Sequence, residues 1–245
     1  MEVVFLGTHG WYPRHGHTPC VVVHAERAEL VFDLGTGAAM LKGELRLDTP
    51  AHIFLSHLHL DHSVGLSFLL GIFKGKKLTV WGQKGIEKAV RSLLSPPYFP
   101  VPVEKWPFEV EFREVGTKQE VAGGVLVEGL PLEHSNLSMG FRVSADRRVL
   151  AYLTDTRRCE NSVKLAKGAD VMIHEATYTE KTLVGSGHST GKVAGEVARE
   201  AGAKKLVLFH IDAEADAEYA AAILAEAKKE FANAVLAKDG MRLVV

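Results

Sequence analysis

Three imidazoles and a carboxylate fall within residues 57–62, as His57, His59, Asp61 and His62, directly after the apolar run Ile53–Leu55. Ordering so many polar side chains costs stability unless something holds them, and a divalent cation does. Neutral imidazole nitrogen and carboxylate oxygen are ligands that zinc, iron and manganese accept. His57 and His59 are two apart, so they share one side of an extended segment. The chain must then bend and present Asp61 and His62 in another direction, which suits two adjacent metal sites better than one. This is unlike the helical zinc motif whose two histidines sit four apart.

Four more stretches end on groups of the same kind. Leu130–His134 closes an apolar segment on a histidine and Val149–Asp155 closes one on an aspartate. Val171–Glu175 ends in a glutamate and Leu206–His210 in another histidine. In layered α/β proteins the working side chains gather where strands end and loops begin, because rigid elements aim them there. Five such endings support one convergent site.

The elements that must carry these groups are legible in outline. Val3–Leu6, Cys20–His24 and Glu29–Asp33 read as short β-branched strands. The link between the first two, residues 7–19, is too long for a tight turn and holds His9, His15 and His17; solvation explains these three better than a substrate mouth does. Val64–Phe73 reads as a buried helix of about three turns, Lys77–Trp81 as a strand and Lys84–Leu94 as an amphipathic helix. Ser95–Pro107, rich in proline and carrying Tyr98, Phe99 and Trp106, reads as a stiff surface loop, either over the site or against a partner subunit. Phe108–Val115 and Glu120–Glu128 alternate like strands. Thr190–Ala201 and Tyr219–Phe231 have helical spacing, the first stopped by Gly202. Ala234–Ala237 and Met241–Val245 read as closing strands joined by the turn Lys238–Gly240. Strands followed by helices, twice over, predict a four-layer αββα sandwich of the α/β (α+β) class, with residues 1–245 as a single domain.

The totals bound the function. A chain of 245 residues with 47 % hydrophobic content can bury a sizeable core. With 29 basic and 30 acidic residues its net charge is −1, so broad nucleic-acid contacts lose ground. Cys20 and Cys159 alone make no disulfide framework. The N-terminal residues lack a signal-peptide pattern and no long apolar run is present, so a cytoplasmic protein without a membrane span is expected.

The His57–His62 cluster resembles the HxHxDH signature of the metallo-β-lactamase-fold hydrolases. His174-Glu-Ala-Thr177, Gly187-His-Ser-Thr190 and Thr154-Asp-Thr-Arg157 are similar to motifs of the ribonuclease Z branch, the last with threonine where that branch has glycine. This resemblance spans Phe5–Thr8 to His210–Ile211. It implies that His57, His59 and His134 hold one metal, that Asp61, His62 and His210 hold a second, and that Asp155 bridges both. It implies two divalent ions, zinc first with manganese or iron acceptable, and a bridging hydroxide as nucleophile. Asp61 then belongs to the catalytic centre as well as to the metal set. Glu175 would orient His188 as general acid, and Asp33 would support the site from below. The substrate expected is a phosphodiester, RNA or a small nucleotide-type diester. A hydrolase of thioesters, lactones or lactams, and a metal-binding module without turnover, are the alternatives. The short interval between His134 and Asp155 has no room for the branch's RNA-gripping arm. A homodimer would fit the family.

Overall fold

A run that is apolar at every position, such as Val3-Val4-Phe5-Leu6, suits a strand only where both faces are covered. The computed structural model, which describes residues 1–46, 48–183 and 187–245, supplies that cover. In β1 (Glu2–Gly7), Val3 and Phe5 enter a core between two sheets, while Val4 and Leu6 enter a second core on the outer face. β2 (Cys20–Ala25), β3 (Ala28–Phe32), β4 (Ala51–Phe54), β5 (Lys77–Gly82) and β6 (Glu109–Glu114) continue this sheet in chain order. The second sheet holds β7 (Gln119–Ala122), β8 (Val125–Leu132), β9 (Ser138–Ala145), β10 (Arg148–Leu153), β11 (Val171–Glu175), β12 (Leu206–Phe209) and β13 (Ala234–Leu236). β14 (Arg242–Val244) returns to the first sheet beside β1. β3 to β6 run parallel, as do β10 to β13; the other neighbours pair antiparallel.

Phe32, Phe54, Phe141, Tyr152 and Phe209 fill the space between the sheets, with the rings of Phe32 and Tyr152 stacked 5.1 Å apart. Each such buried side chain contributes about 1.5–3 kcal/mol. Outside the first sheet lie α1 (Leu60–Ser63), α2 (Leu69–Ile72) and α3 (Ile86–Leu93). Outside the second lie α4 (Glu160–Ala166), α5 (Gly191–Ala201) and α6 (Ala217–Glu230). Thr190 caps α5 by accepting from the Val193 N–H, and Gly202 ends it in the left-handed region at φ 64°. The layers are α, β, β, α, as expected. Among the described residues no helix is long and apolar enough to cross a membrane.

Three expectations are corrected, and one of the two places left open for the Pro-rich segment is closed. Val64–Phe73 is not one helix: a 3-10 turn over Val64–Phe68 precedes α2, where Gly65 packs so close to the Leu34 and Gly35 carbonyls that a side chain would clash. Glu120–Glu128 is two strands, split at Gly123 and Gly124, which both take positive φ to make the β7–β8 turn. Ala234–Leu236 and Arg242–Val244 are no hairpin, because β13 and β14 belong to different sheets and the turn between them crosses the sandwich. The Pro-rich segment does not line the cavity at the histidine cluster; Val103 and Trp106 bury themselves under the first sheet's outer core, while Tyr98 faces solvent. Strand β9 and helix α4 were not foreseen, and the β9–β10 hairpin occupies the short interval before Asp155.

Candidate metal centre

His57 and His59 lie on the extended segment leaving β4, and Asp61 and His62 sit in the first turn of α1, so the chain bends between the two pairs. His134 follows β8, Asp155 follows β10 and His210 follows β12. The parallel register of β10, β11 and β12 (Leu153 beside His174, Glu175 beside Phe209) brings the last groups to one edge. His57, His59, His134 and Asp155 form one constellation, and Asp61, His62 and His210 a second. Asp155 faces both. Its Oδ2 lies 3.6 Å from Nε2 of His57 and of His134, and its Oδ1 lies 3.1 Å from His62 Nε2 and 3.2 Å from His210 Nε2. All seven expected ligands are thus brought together.

The separations fit an ion. His57 Nε2 is 2.9 Å from His59 Nδ1, His134 Nε2 is 3.4 Å from the same atom, and His62 Nε2 is 3.1 Å from His210 Nε2. A tetrahedron with metal–nitrogen bonds of about 2.0–2.1 Å has edges of roughly 3.3–3.4 Å. The outward nitrogens are also held, as metal-ligating histidines require. His57 Nδ1 meets Ser56 Oγ at 2.9 Å, His62 Nδ1 meets Asp33 Oδ2 at 2.9 Å, and His210 Nδ1 meets Thr177 Oγ1 at 3.1 Å. His134 Nδ1–H donates to the Gly187 carbonyl at 2.9 Å. His59 is reversed: its Nδ1 points inward and its Nε2 meets Asn136 Nδ2 at 3.0 Å. Asp33 also accepts from the Ser56 N–H and Oγ–H and from the Tyr152 hydroxyl, so its supporting place below the cluster matches expectation.

Backbone strain concentrates here. Six non-glycine residues among those described take positive φ, and four of them (Trp11, Asp33, Asp155 and His210) belong to the site. Such conformations cost on the order of 1–3 kcal/mol each and persist where the surroundings over-determine them. Gly10 shows how tightly: a Cβ there would lie 2.2 Å from the His210 ring.

Beside both constellations stands His188. Its Nδ1 is 3.0 Å from Glu175 Oε1, its ring stacks on His210 at 5.5 Å and meets His134 edge-on at 4.8 Å. Glu175 is fully buried and held by the Thr156 N–H at 2.7 Å and the Thr177 hydroxyl at 2.9 Å. Burial opposes a charge on His188, but the Glu175 carboxylate outweighs it and raises the imidazole to about 9. Burial, with His62 next to it, pushes His57 down to about 2, and burial also lowers His59, so both stay neutral as ligands must. Burial opposes charge on His62 and on Asp155 as well. Even so Asp155 and Asp33 raise His62, while His210 and His62 hold Asp155 well below the usual carboxylate range. Carboxylates that draw a proton onto a buried imidazole draw a cation in the same way.

A cavity of about 670 Å³ opens over these groups, lined by His59, Asp61, His134, Asp155, His188 and His210 among others. Its rim includes Trp11 and Tyr12, from the loop after β1. The histidines of that loop do not line it: His15 and His17 border a separate cavity beside Asp239, which accepts from the His17 N–H at 2.6 Å. Sequence reasoning noticed the loop for its histidines and missed its aromatics. It missed Asn136 too, since a lone asparagine carries no signal of its partner.

Residues 30–211 match the family described as the beta-lactamase superfamily domain. The chain is 33 % identical to a ribonuclease Z of Geobacillus kaustophilus, with 98 % of this chain and 97 % of that one covered. The alignment runs over 304 residues against 245 here, so the relative carries segments without a counterpart in this chain. In fold it is similar to the metallo-beta-lactamase fold protein YhfI of Bacillus subtilis (TM-score 0.81, 21 % identity, 99 % of each chain covered). It is also similar to the short form of human tRNase Z (TM-score 0.78, 24 % identity, 100 % of this chain and 99 % of that one). The chain belongs to the beta-lactamase superfamily and, within it, to the ribonuclease Z branch. It is a metal-dependent hydrolase of the phosphodiesterase class.

Proposed function

We propose that this chain hydrolyses a phosphodiester in RNA or in a smaller nucleotide-type diester. His57, His59 and His134 would hold one divalent ion, Asp61, His62 and His210 would hold a second, and Asp155 faces both ligand sets, with zinc the ion best suited to this nitrogen and oxygen set. When bound, such a pair supplies Lewis acidity and makes water a nucleophile near neutral pH. The chain's own part is to present the diester and deliver a proton. His188, kept protonated by Glu175, stands beside both ligand sets and can donate to the departing oxygen. Glu175 holds Nδ1, which leaves the other ring nitrogen for this transfer. Both sheets contribute ligands, which supports residues 1–245 acting as one domain.

The observation that carries this reading is the Glu175–His188 pair at the edge of the cluster. An imidazolium would serve the leaving group of a carbonyl ester equally well, so the pair favours the phosphodiester through the chain's full-length likeness to ribonuclease Z. Bis(p-nitrophenyl) phosphate with added zinc or manganese is the test. Release of nitrophenolate is expected; cleavage of thioesters or lactones with no release from this diester would overturn the assignment.

A further inference from the structure

Apart from its charged floor, the cavity has a wall that the proposed chemistry does not use. Trp11, Tyr12, Leu60 and Tyr178 line it, and among its described lining residues there is no lysine or arginine. Trp11 is 75 % exposed, an unusual state for an indole in a concave mouth. It is also placed with care. Its backbone N–H donates to Asp61 Oδ2 at 2.8 Å, so the residue that carries the indole is anchored on the cluster itself. On one side Gly10 packs on the His210 ring, and its N–H donates to the Ile211 carbonyl at 2.8 Å. On the other side the Tyr12 ring meets Trp11 edge-on at 5.4 Å, and the Tyr12 hydroxyl is bonded to Glu214, which Arg14 also pairs.

We infer that Trp11 is a stacking platform for the nucleobase next to the scissile phosphate, so that the preferred substrate is a nucleoside diester rather than a simple alkyl one. The inference rests on the phosphodiester reading above. A long polyanion would need cations along its track, whereas this wall offers a π-face, which stacks on any base. A loop pinned at both ends holds that face in place before the ligand arrives, which lowers the cost of binding.

The experiment compares two diesters with the same leaving group, thymidine 5′-(p-nitrophenyl phosphate) and methyl p-nitrophenyl phosphate, on the zinc-loaded protein. Trp11→Ala is expected to lower kcat/KM for the thymidine diester about 10-fold or more beyond whatever it does to the methyl diester, mainly through KM. Trp11→Phe is expected to restore most of the difference. Emission gives an independent readout, because the other two tryptophans, Trp81 and Trp106, are buried. Thymidine 5′-monophosphate should quench the wild type and not Trp11→Phe. Proportional losses on both diesters, or unquenched wild-type emission, would overturn the platform. If the wild type cleaves neither diester, the hydrolytic reading fails, and the quenching titration still decides the platform by itself.

Discussion

Strand β4 has one buried histidine near its start and leads into another three residues past its end, and the two have opposite surroundings. His52, near its start, borders a cavity of about 730 Å³, larger than the one beyond its far end where His57 stands. Around His52 the charged groups satisfy one another: Arg113 Nε donates to Glu111 at 2.6 Å, Lys77 pairs with Glu111 at 3.0 Å, and Arg46 Nε donates to Glu29 at 2.5 Å. Around His57, among the described residues, Asp61 and Asp155 pair with histidines and with no lysine or arginine, and carboxylates and imidazoles converge on common points. Volume therefore says little about function here. Mutual neutralisation marks a surface, and unneutralised convergence marks a centre.

The largest effect that would break this contrast is at Asp155. Asp155→Ala removes the one anion facing both ligand sets, so the purified protein is expected to lose bound metal, measured by elemental analysis, and diesterase activity is expected to fall to background. Full metal content in that variant would take Asp155 out of the centre. Next comes His188→Ala, expected to keep its metal yet cleave a diester with an alkoxide leaving group about 10²-fold or more slowly, the usual share of a general acid. Metal loss there would instead make His188 a ligand, a place its proximity to Asp155 and His210 leaves geometrically open.

Glu175→Gln sharpens the difference further through pH. The carboxylate raises His188, and a general acid works only while protonated. Removing the charge lowers the imidazole's pKa, so the alkaline limb of the kcat profile is expected to move toward lower pH. An unmoved limb would mean that His188 does not report in the rate.

Much of this centre was readable in advance because strand-end chemistry is local. His57 to His62 declare themselves by spacing, and Glu175 and His210 by closing apolar runs of fixed length. Their pairing across the sandwich came instead through family resemblance, since no spacing links His134 to His59. The rest depended on contacts with no local signature. The β13 to β14 crossing looks like a hairpin in sequence, because a turn at Gly240 serves either topology. The break after Val64 arises from Gly65 meeting the carbonyl of Leu34, thirty-one positions away and in no pattern with it. Asn136 and Trp11 join the site through where their partners, His59 and Asp61, happen to stand.

The smallest effect is expected at the other end of β4. His52 Nδ1 accepts from Trp81 Nε1 at 3.2 Å, and its Nε2 has no partner among the described residues. Burial, with Arg113 adding to it, pushes this imidazole down to about 4, so the folded state holds it neutral. Its unfolded value is near 6.5, so the stability it contributes is present above that pH and lost as pH falls toward 4. His52→Gln keeps an acceptor for Trp81 and cannot titrate. Activity is expected to stay within about twofold, because His52 stands outside the cavity over the cluster, while a single substitution at such a buried position shifts stability by about 1 kcal/mol. The urea midpoint should therefore fall less between pH 7 and pH 5 in the variant than in the wild type. An equal fall would mean that His52 takes up its proton without resistance, and a large loss of activity would mean that the two ends of the strand are coupled.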